Sequence, residues 1–193
     1  MRTRSGSAPS GFSLIEVLTV LAIVALLTAL AAPAISSIRD SMQLARAGTL
    51  VQDQLHLARQ MAITRNEPVI VSLFETTDET GNAINMLTLS RIRKDGSRDL
   101  LTRASRLPLG CGVLMETAWS SVMNLPTETR SLPSGIEAEC RDIRFNPSGS
   151  TALAASAKWF LTIHLRRNKE KPGANFITLA IDPVTGRIFF YQP

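Results

Sequence analysis

The chain has few of the residues from which catalytic and metal sites are built. Among its 193 residues there are two cysteines and two histidines, and His56 and His164 stand apart from each other and from both cysteines. This spacing argues against a zinc site of the usual Cys/His type. The sequence also lacks a nucleophile elbow, a P-loop and the HExxH pattern, and it has no oxygen-rich run like a calcium loop. We therefore expect no enzymatic activity, no metal and no cofactor.

Charge is missing from one long stretch near the N-terminus. No charged residue separates Glu16 from Arg39, and the run from Val17 through Ile38 has the length that a helix needs to cross a bilayer, about 20 residues. The short leader before it carries Arg2 and Arg4, whose positive charge favours the cytoplasmic side of a membrane. Because an ionisable group is expensive in such a segment, Glu16 is expected to have a function.

The residues around Glu16 carry a family resemblance. The sequence Gly-Phe-Ser-Leu-Ile-Glu at residues 11–16, followed by the apolar run, resembles the prepilin signal of type IV pilins and type II secretion pseudopilins. The resemblance implies that a prepilin peptidase cuts between Gly11 and Phe12 and methylates Phe12. It also implies that Glu16, the fifth residue of the mature chain, acts in assembly. Pro33 lies where family members often break the helix, so a kink or local melting is expected near residues 29–33.

Two other interpretations of the N-terminus remain open. The first is an ordinary secretory signal peptide, because Ala29-Leu30-Ala31 offers a small-x-small cleavage site. Glu16 argues against it, since this carboxylate would then lie inside the apolar core of the signal. The second is a plain single-span anchor.

The apolar run continues into an amphipathic helix that is expected to end at Asn66 and Pro68. Its apolar positions have a helical spacing and form one stripe: Leu44, Ala47, Val51, Leu55, Ala58 and Ala62. Polar residues recur every seven positions on the opposite side: Arg39, Arg46, Asp53 and Gln60. The stripe predicts that this half of the helix packs under a sheet.

After Pro68 the pattern changes to that of β-strands. Strands are predicted at residues 69–74, 84–92, 100–101, 136–145, 159–165, 176–181 and 187–191. Residues 102–135, rich in proline and glycine, are expected to be irregular, with Trp119 and Val122 packed on the sheet. The turn from Phe145 through Gly149 and the closing hairpin at residues 185–187 resemble the C-terminal domain of the H-type minor pseudopilins.

Together these features predict an α+β fold, in which a long N-terminal helix packs with its second half on an antiparallel sheet. The expected divisions are a leader at residues 1–11, a transmembrane or filament-core helix at 12–38, an amphipathic helix at 39–66 and a β-rich periplasmic domain at 67–193. The resemblance implies a minor pseudopilin or pilin with a single pass through the bacterial inner membrane. Its implied partners are the prepilin peptidase and the major and other minor subunits of a filament.

A second function, DNA binding by a minor pilin of an uptake filament, is kept as an alternative. The net charge of +5 is a mild excess that does not require a nucleic-acid partner. Basic residues nevertheless cluster at two predicted turns. The first cluster is Arg91, Arg93, Lys94 and Arg98, and the second, the candidate DNA contact, is Arg166, Arg167, Lys169 and Lys171.

Cys111 and Cys140 form a candidate disulfide. Both lie outside the apolar N-terminal run, and an exported domain meets an oxidising compartment. The sequence does not decide between a bridge and two free thiols.

Overall fold

The computed structural model describes residues 13–78, 81–93, 95–132, 135–166, 173 and 175–193, with the backbone alone at residues 30–36 and 78. By its internal contacts the chain divides into two units, Met1–Arg39 and Asp40–Pro193. One helix, α1 (Leu14–Arg65), has residues in both units.

Helix α1 ends where the sequence predicts. Asn66 adopts a positive φ of 52°, a conformation that asparagine tolerates better than most residues. The Glu67 amide then donates to the Ala62 carbonyl at 3.3 Å, which satisfies one of the carbonyls left open at a helix end. Pro68 follows and prevents further helix.

The strands of the described residues form one antiparallel sheet. In chain order they are β1 (Val69–Asp78), β2 (Gly81–Ile92), β3 (Arg98–Leu100), β4 (Ser105–Arg106), β5 (Cys111–Val113), β6 (Thr127–Ser131), β7 (Glu137–Phe145), β8 (Trp159–Leu165), β9 (Phe176–Ile181) and β10 (Ile188–Tyr191). Across the sheet the order is β10-β9-β8-β5-β2-β1-β7-β6, and β3 and β4 pair with β2 off this path.

The second half of α1 packs on this sheet through the predicted stripe. All six stripe residues, from Leu44 to Ala62, have no exposed surface, whereas Arg46, Asp53 and Gln60 on the opposite side are exposed. The stripe joins inward-facing residues of the sheet, such as Val71 and Leu87, in one core. The predicted α+β class is thereby confirmed, with its helix packed on an antiparallel sheet.

The middle of the chain is more regular than predicted. Residues 102–135 contain β4, β5, β6 and a 3₁₀ helix at Ser121–Asn124, although no strand is expected there from the sequence. The β5 strand is only three residues long but pairs with both β2 and β8, so it joins the two halves of the sheet. Val122 is fully buried, and the Trp119 ring packs edge-on against Phe176 at 6.0 Å, as expected for anchors on the sheet.

Two hairpins close near their predicted positions. The turn at Asp95 and Gly96 joins β2 to β3, but β3 begins at Arg98, before the predicted start. The last hairpin pairs β9 with β10. In contrast, β1 and β2 extend through the stretch predicted as a polar loop and pair up to Asp78 and Gly81, because main-chain pairing tolerates polar side chains.

A junction beside the helix fixes two turns, at residues 145–149 and 185–187. The Arg59 side chain donates through Nε to the carbonyls of Gly149, at 3.2 Å, and Thr185, at 3.0 Å. A Cβ atom at Gly186 would lie 2.1 Å from the Gly149 oxygen, so only glycine fits there. The junction therefore ties both turns to α1.

Candidate assembly segment

The candidate assembly segment is the first part of α1, with Glu16 in its first turn. The amides of Glu16 and Val17 donate to the Ser13 carbonyl at 3.0 and 3.2 Å, which places Ser13 at the helix start. A carboxylate in the first turn interacts favourably with the positive end of the helix dipole. Within the described residues the Glu16 side chain has no hydrogen bond or ion pair.

The side chains on both sides of Glu16 are apolar and exposed. The exposed fraction is 81% for Leu14, 68% for Ile15 and 47% for Val17. The other large apolar side chains of this part are also exposed: Leu18, Val20, Leu21, Ile23, Val24, Leu26 and Leu27. A patch this large on a protein surface marks a site of interaction with a protein or a membrane.

The two threonines of this segment do not interrupt its apolar surface. The Thr19 hydroxyl donates to the Ile15 carbonyl at 2.7 Å, and the Thr28 hydroxyl donates to the Val24 and Ala25 carbonyls at 2.9 Å. Their hydrogen-bonding capacity is thus used within the helix. Between residues 14 and 29, Glu16 is left as the charged group within this apolar surface.

The remaining predicted features of the N-terminus are only partly described. Gly11 and Phe12, the predicted processing residues, and the leader at residues 1–11 lie outside the described residues. The helix continues through Pro33, so local melting there is wrong, because the loss of one donor leaves the flanking hydrogen bonds in place. A kink at Pro33 stays a prediction.

Over the residues that the structure describes, no helix is long and apolar enough to cross a membrane. The transmembrane helix expected at residues 12–38 is therefore not confirmed.

The candidate disulfide is wrong, because Cys111 and Cys140 are both free and buried. They lie on β5 and β7, and β2 and β1 separate these strands in the sheet. Three strand spacings amount to about 14 Å, which is about twice the longest Cα separation that a disulfide spans. Burial raises the pKa of the Cys111 thiol to about 11 and also raises the pKa of the Cys140 thiol, so both are unreactive near neutral pH.

The basic residues proposed for DNA contact do not form an exposed surface in the part that is described. Arg166 is buried, with 7% of its surface exposed, so it does not suit a phosphate contact. The other three, Arg167, Lys169 and Lys171, lie outside the described residues, as does Lys94 of the first cluster.

The rest of the first basic cluster is already paired with carboxylates. Arg91 contacts Glu67 at 3.1 Å and Asp99 at 3.0 Å, and Arg93 contacts Asp99 at 3.1 Å. Arg98 contacts Asp142 at 2.7 Å. These pairs reduce the positive potential of the β2–β3 hairpin, and DNA binding is not favoured.

The described residues contain no group of three or more His, Cys, Asp or Glu side chains arranged to hold a metal ion. His56 is exposed on α1, whereas His164 is buried in β8.

A polar network that the sequence does not indicate lies on the outer face of the sheet, which is the face that points away from α1. Its centre is Asp142, which accepts hydrogen bonds from Ser72 at 2.6 Å, from Arg98 at 2.7 Å and from Arg130 at 3.0 and 3.2 Å. Burial alone would raise the pKa of the Asp142 carboxyl, but these hydrogen bonds outweigh it and lower the pKa. The four residues come from β1, β3, β6 and β7, so only the folded sheet brings them together.

Comparison with known proteins identifies the N-terminus. Residues 7–32 match the family described as the prokaryotic N-terminal methylation motif. No curated protein matches the chain.

Comparison with solved structures gives matches at low sequence identity. The minor pseudopilin EpsH from the type 2 secretion system of Vibrio cholerae is 12% identical, with a TM-score of 0.49, over 78% of this chain and 98% of that one. The type IV minor pilin FimU of Pseudomonas aeruginosa is 13% identical, with a TM-score of 0.48, over 78% of this chain and 92% of that one. The match at residues 7–32 confirms that the chain carries an N-terminal methylation motif, as the residues around Glu16 predict.

Proposed function

We propose that the chain is a minor pseudopilin or minor pilin that acts by assembly into a filament. The observation that carries this proposal is the N-terminal methylation motif at residues 7–32. Before assembly, the apolar N-terminal segment holds the subunit in the inner membrane, and the domain that begins near residue 40 lies in the periplasm. A pseudopilus of type II secretion is the filament that the H-type turns favour.

Processing would prepare Glu16 for assembly. A cut after Gly11 creates a positively charged amine at Phe12, and a carboxylate among apolar groups is tolerated when an opposite charge pairs with it. In an ideal helix, residues four positions apart are separated by roughly 6 Å along the axis. A neighbouring subunit that is shifted axially would bring its own amine closer to Glu16. The exposed apolar side chains around Glu16 would then pack against that neighbour and exclude water.

The test compares Glu16→Gln and Glu16→Ala with the unmodified chain in the native host. We expect both variants to be cut after Gly11, because the cut precedes assembly, so their intact masses should begin at methylated Phe12. Both should show at least a tenfold loss of crosslinking to the major subunit. Glu16→Asp should be intermediate, since its carboxylate has a shorter reach.

The matched control is Asp53→Asn, which removes an exposed carboxylate from the second half of α1 and should crosslink normally. Crosslinking of Glu16→Gln at the unmodified level would contradict the role of Glu16. A mature chain that begins near Ala32 would identify a secretory signal and contradict the whole proposal.

A further inference from the structure

A cavity of about 480 Å³ lies on the outer face of the sheet, away from α1. Its floor consists of side chains from β1 and β2 that alternate with the helix-facing residues Val71, Leu73, Leu87 and Leu89. Its walls come from β3 and from the end of β6. The lining residues are Ser72, Phe74, Thr88, Ser90, Arg98, Leu100, Arg130, Ser131 and Leu132. The volume is within the range of small-molecule sites.

Two guanidinium groups, those of Arg98 and Arg130, line the polar side of this cavity. Arg98 and Arg130 both contact one carboxylate, that of Asp142, at 2.7 and 3.0 Å. The other nearby carboxylate, Glu128, contacts Arg130 and lies 3.8 Å from Arg98, but its side chain is 59% exposed, so solvent screens it. The less exposed of the two carboxylates is Asp142, whose side chain is 23% exposed and contacts both guanidinium groups.

Two polar atoms of the cavity wall lack a partner. Ser90 is only 2% exposed, and its hydroxyl oxygen has no hydrogen-bond partner. The Nη1 atom of Arg98 is likewise buried without an acceptor, although Nη2 of the same side chain pairs with Asp142. A buried polar atom without a partner is unfavourable. A single oxygen-bearing ligand in the cavity would supply an acceptor to both.

The remaining lining defines the rest of the ligand. Phe74, Leu100 and Leu132 give one side of the cavity an apolar surface. A small inorganic anion would leave this surface uncovered, and a purely apolar molecule would leave Ser90 and Arg98 without an acceptor. A guanidinium group and a hydroxyl together suit a carboxylate.

We propose that this cavity binds an organic carboxylate that carries a branched apolar group. Its carboxylate oxygens accept hydrogen bonds from Arg98 Nη1 and the Ser90 hydroxyl, and its apolar group lies against Phe74, Leu100 and Leu132. Two sources share this chemistry: a free branched-chain acid, and the free C-terminus of a polypeptide that ends in leucine. The site is independent of Glu16 and of filament assembly.

The first experiment titrates the full processed chain, in a non-ionic detergent, with 4-methylpentanoate and with its uncharged analogue 4-methylpentanamide. Isothermal titration calorimetry should give a Kd at least tenfold lower for the acid, because the amide lacks the charge that pairs with the guanidinium. Sulfate should not displace the acid. Equal affinities for the acid and the amide, or no binding of the acid, would overturn the proposal.

The second experiment compares Ser90→Ala with Ser148→Ala, a change in an exposed turn. Without ligand, Ser90→Ala should unfold at the same temperature as the unmodified chain or higher, because it removes an unpaired buried hydroxyl. It should nevertheless bind 4-methylpentanoate at least tenfold more weakly. Ser148→Ala should leave affinity unchanged. A folded Ser90→Ala that binds like the unmodified chain would refute the assigned hydrogen bond.

The two sources are separated with the peptide Ala-Ala-Leu, bearing either a free or an amidated C-terminus. Tighter binding of the free peptide than of 4-methylpentanoate identifies a polypeptide end as the ligand. Weaker binding of the free peptide identifies a small acid.

Discussion

At the scale of single residues, Gly186 and Gly96 separate two reasons for which a glycine is required. Both have a positive φ, 62° and 82°. A Cβ at Gly96 would meet no atom within 4 Å, whereas one at Gly186 would overlap the Gly149 carbonyl. Alanine at Gly96 would therefore be disfavoured only by the positive φ. Alanine at Gly186 would be disfavoured by the positive φ and also by a steric clash.

Gly96→Ala should lower the free energy of unfolding by about 1 kcal/mol. Gly186→Ala should lower it by more than about 3 kcal/mol, because the two turns must move apart and Arg59 must lose an acceptor. Urea denaturation of both variants measures the difference. Equal losses would contradict the contact between the two turns.

Asp142 gives a prediction about pH. Its lowered pKa means that the folded state favours the ionised carboxylate. The resulting stabilisation is complete above a pH of about 4, the pKa of an aspartate carboxyl in the unfolded chain. It is lost as the pH falls below that value. Asp142→Asn should reduce the unfolding free energy by about 2 kcal/mol at neutral pH.

This difference from the unmodified chain should shrink as the pH falls below about 4, which thermal unfolding at several pH values would measure. A difference that stays constant with pH would argue against ionisation of Asp142 as its cause.

At the scale of elements, the second half of α1 was predictable because a 3.6-residue period is visible in the sequence. Leu55 and His56 are neighbours in the chain, yet Leu55 is fully buried and His56 is exposed. The β6 strand shows the opposite case. Its sequence Thr-Glu-Thr-Arg-Ser has no apolar alternation, and it forms because it pairs with β7 at a sheet edge, which no local pattern reveals.

Leu55→Ala should reduce the unfolding free energy by about 2–5 kcal/mol, since it leaves a cavity between α1 and the sheet. His56→Ala, one residue further, should change it by less than about 0.5 kcal/mol. Both values come from chemical denaturation. A similar effect of the two substitutions would contradict the orientation of the helix on the sheet.

At the scale of the whole molecule, the N-terminal motif was predictable because its residues are contiguous. The cavity was not, because Arg130 and Leu132 in its wall lie far along the chain from Ser90 and Arg98 and come near them only in the folded protein. The same reason explains the wrong disulfide: the number of cysteines allows a bridge, but the strand order places Cys111 and Cys140 too far apart. Likewise, the sequence alone indicates a positively charged cluster at Arg91, Arg93 and Arg98. In the folded protein, carboxylates from other parts of the chain pair with these residues.

The contacts of α1 with the end of the chain determine when the protein can finish folding. Arg59 reaches Thr185 across 126 positions of sequence, and a Cβ at Gly48 would touch Ile177 and Phe190. The helix is made early, but some of the residues that pack against it belong to the last hairpin. This order holds whether the chain emerges from a ribosome or from a secretion channel. Contacts so distant in sequence form slowly, and the uncovered stripe is prone to aggregation until they form. A newly made chain would therefore benefit from a chaperone that shields α1 until β9 and β10 are in place.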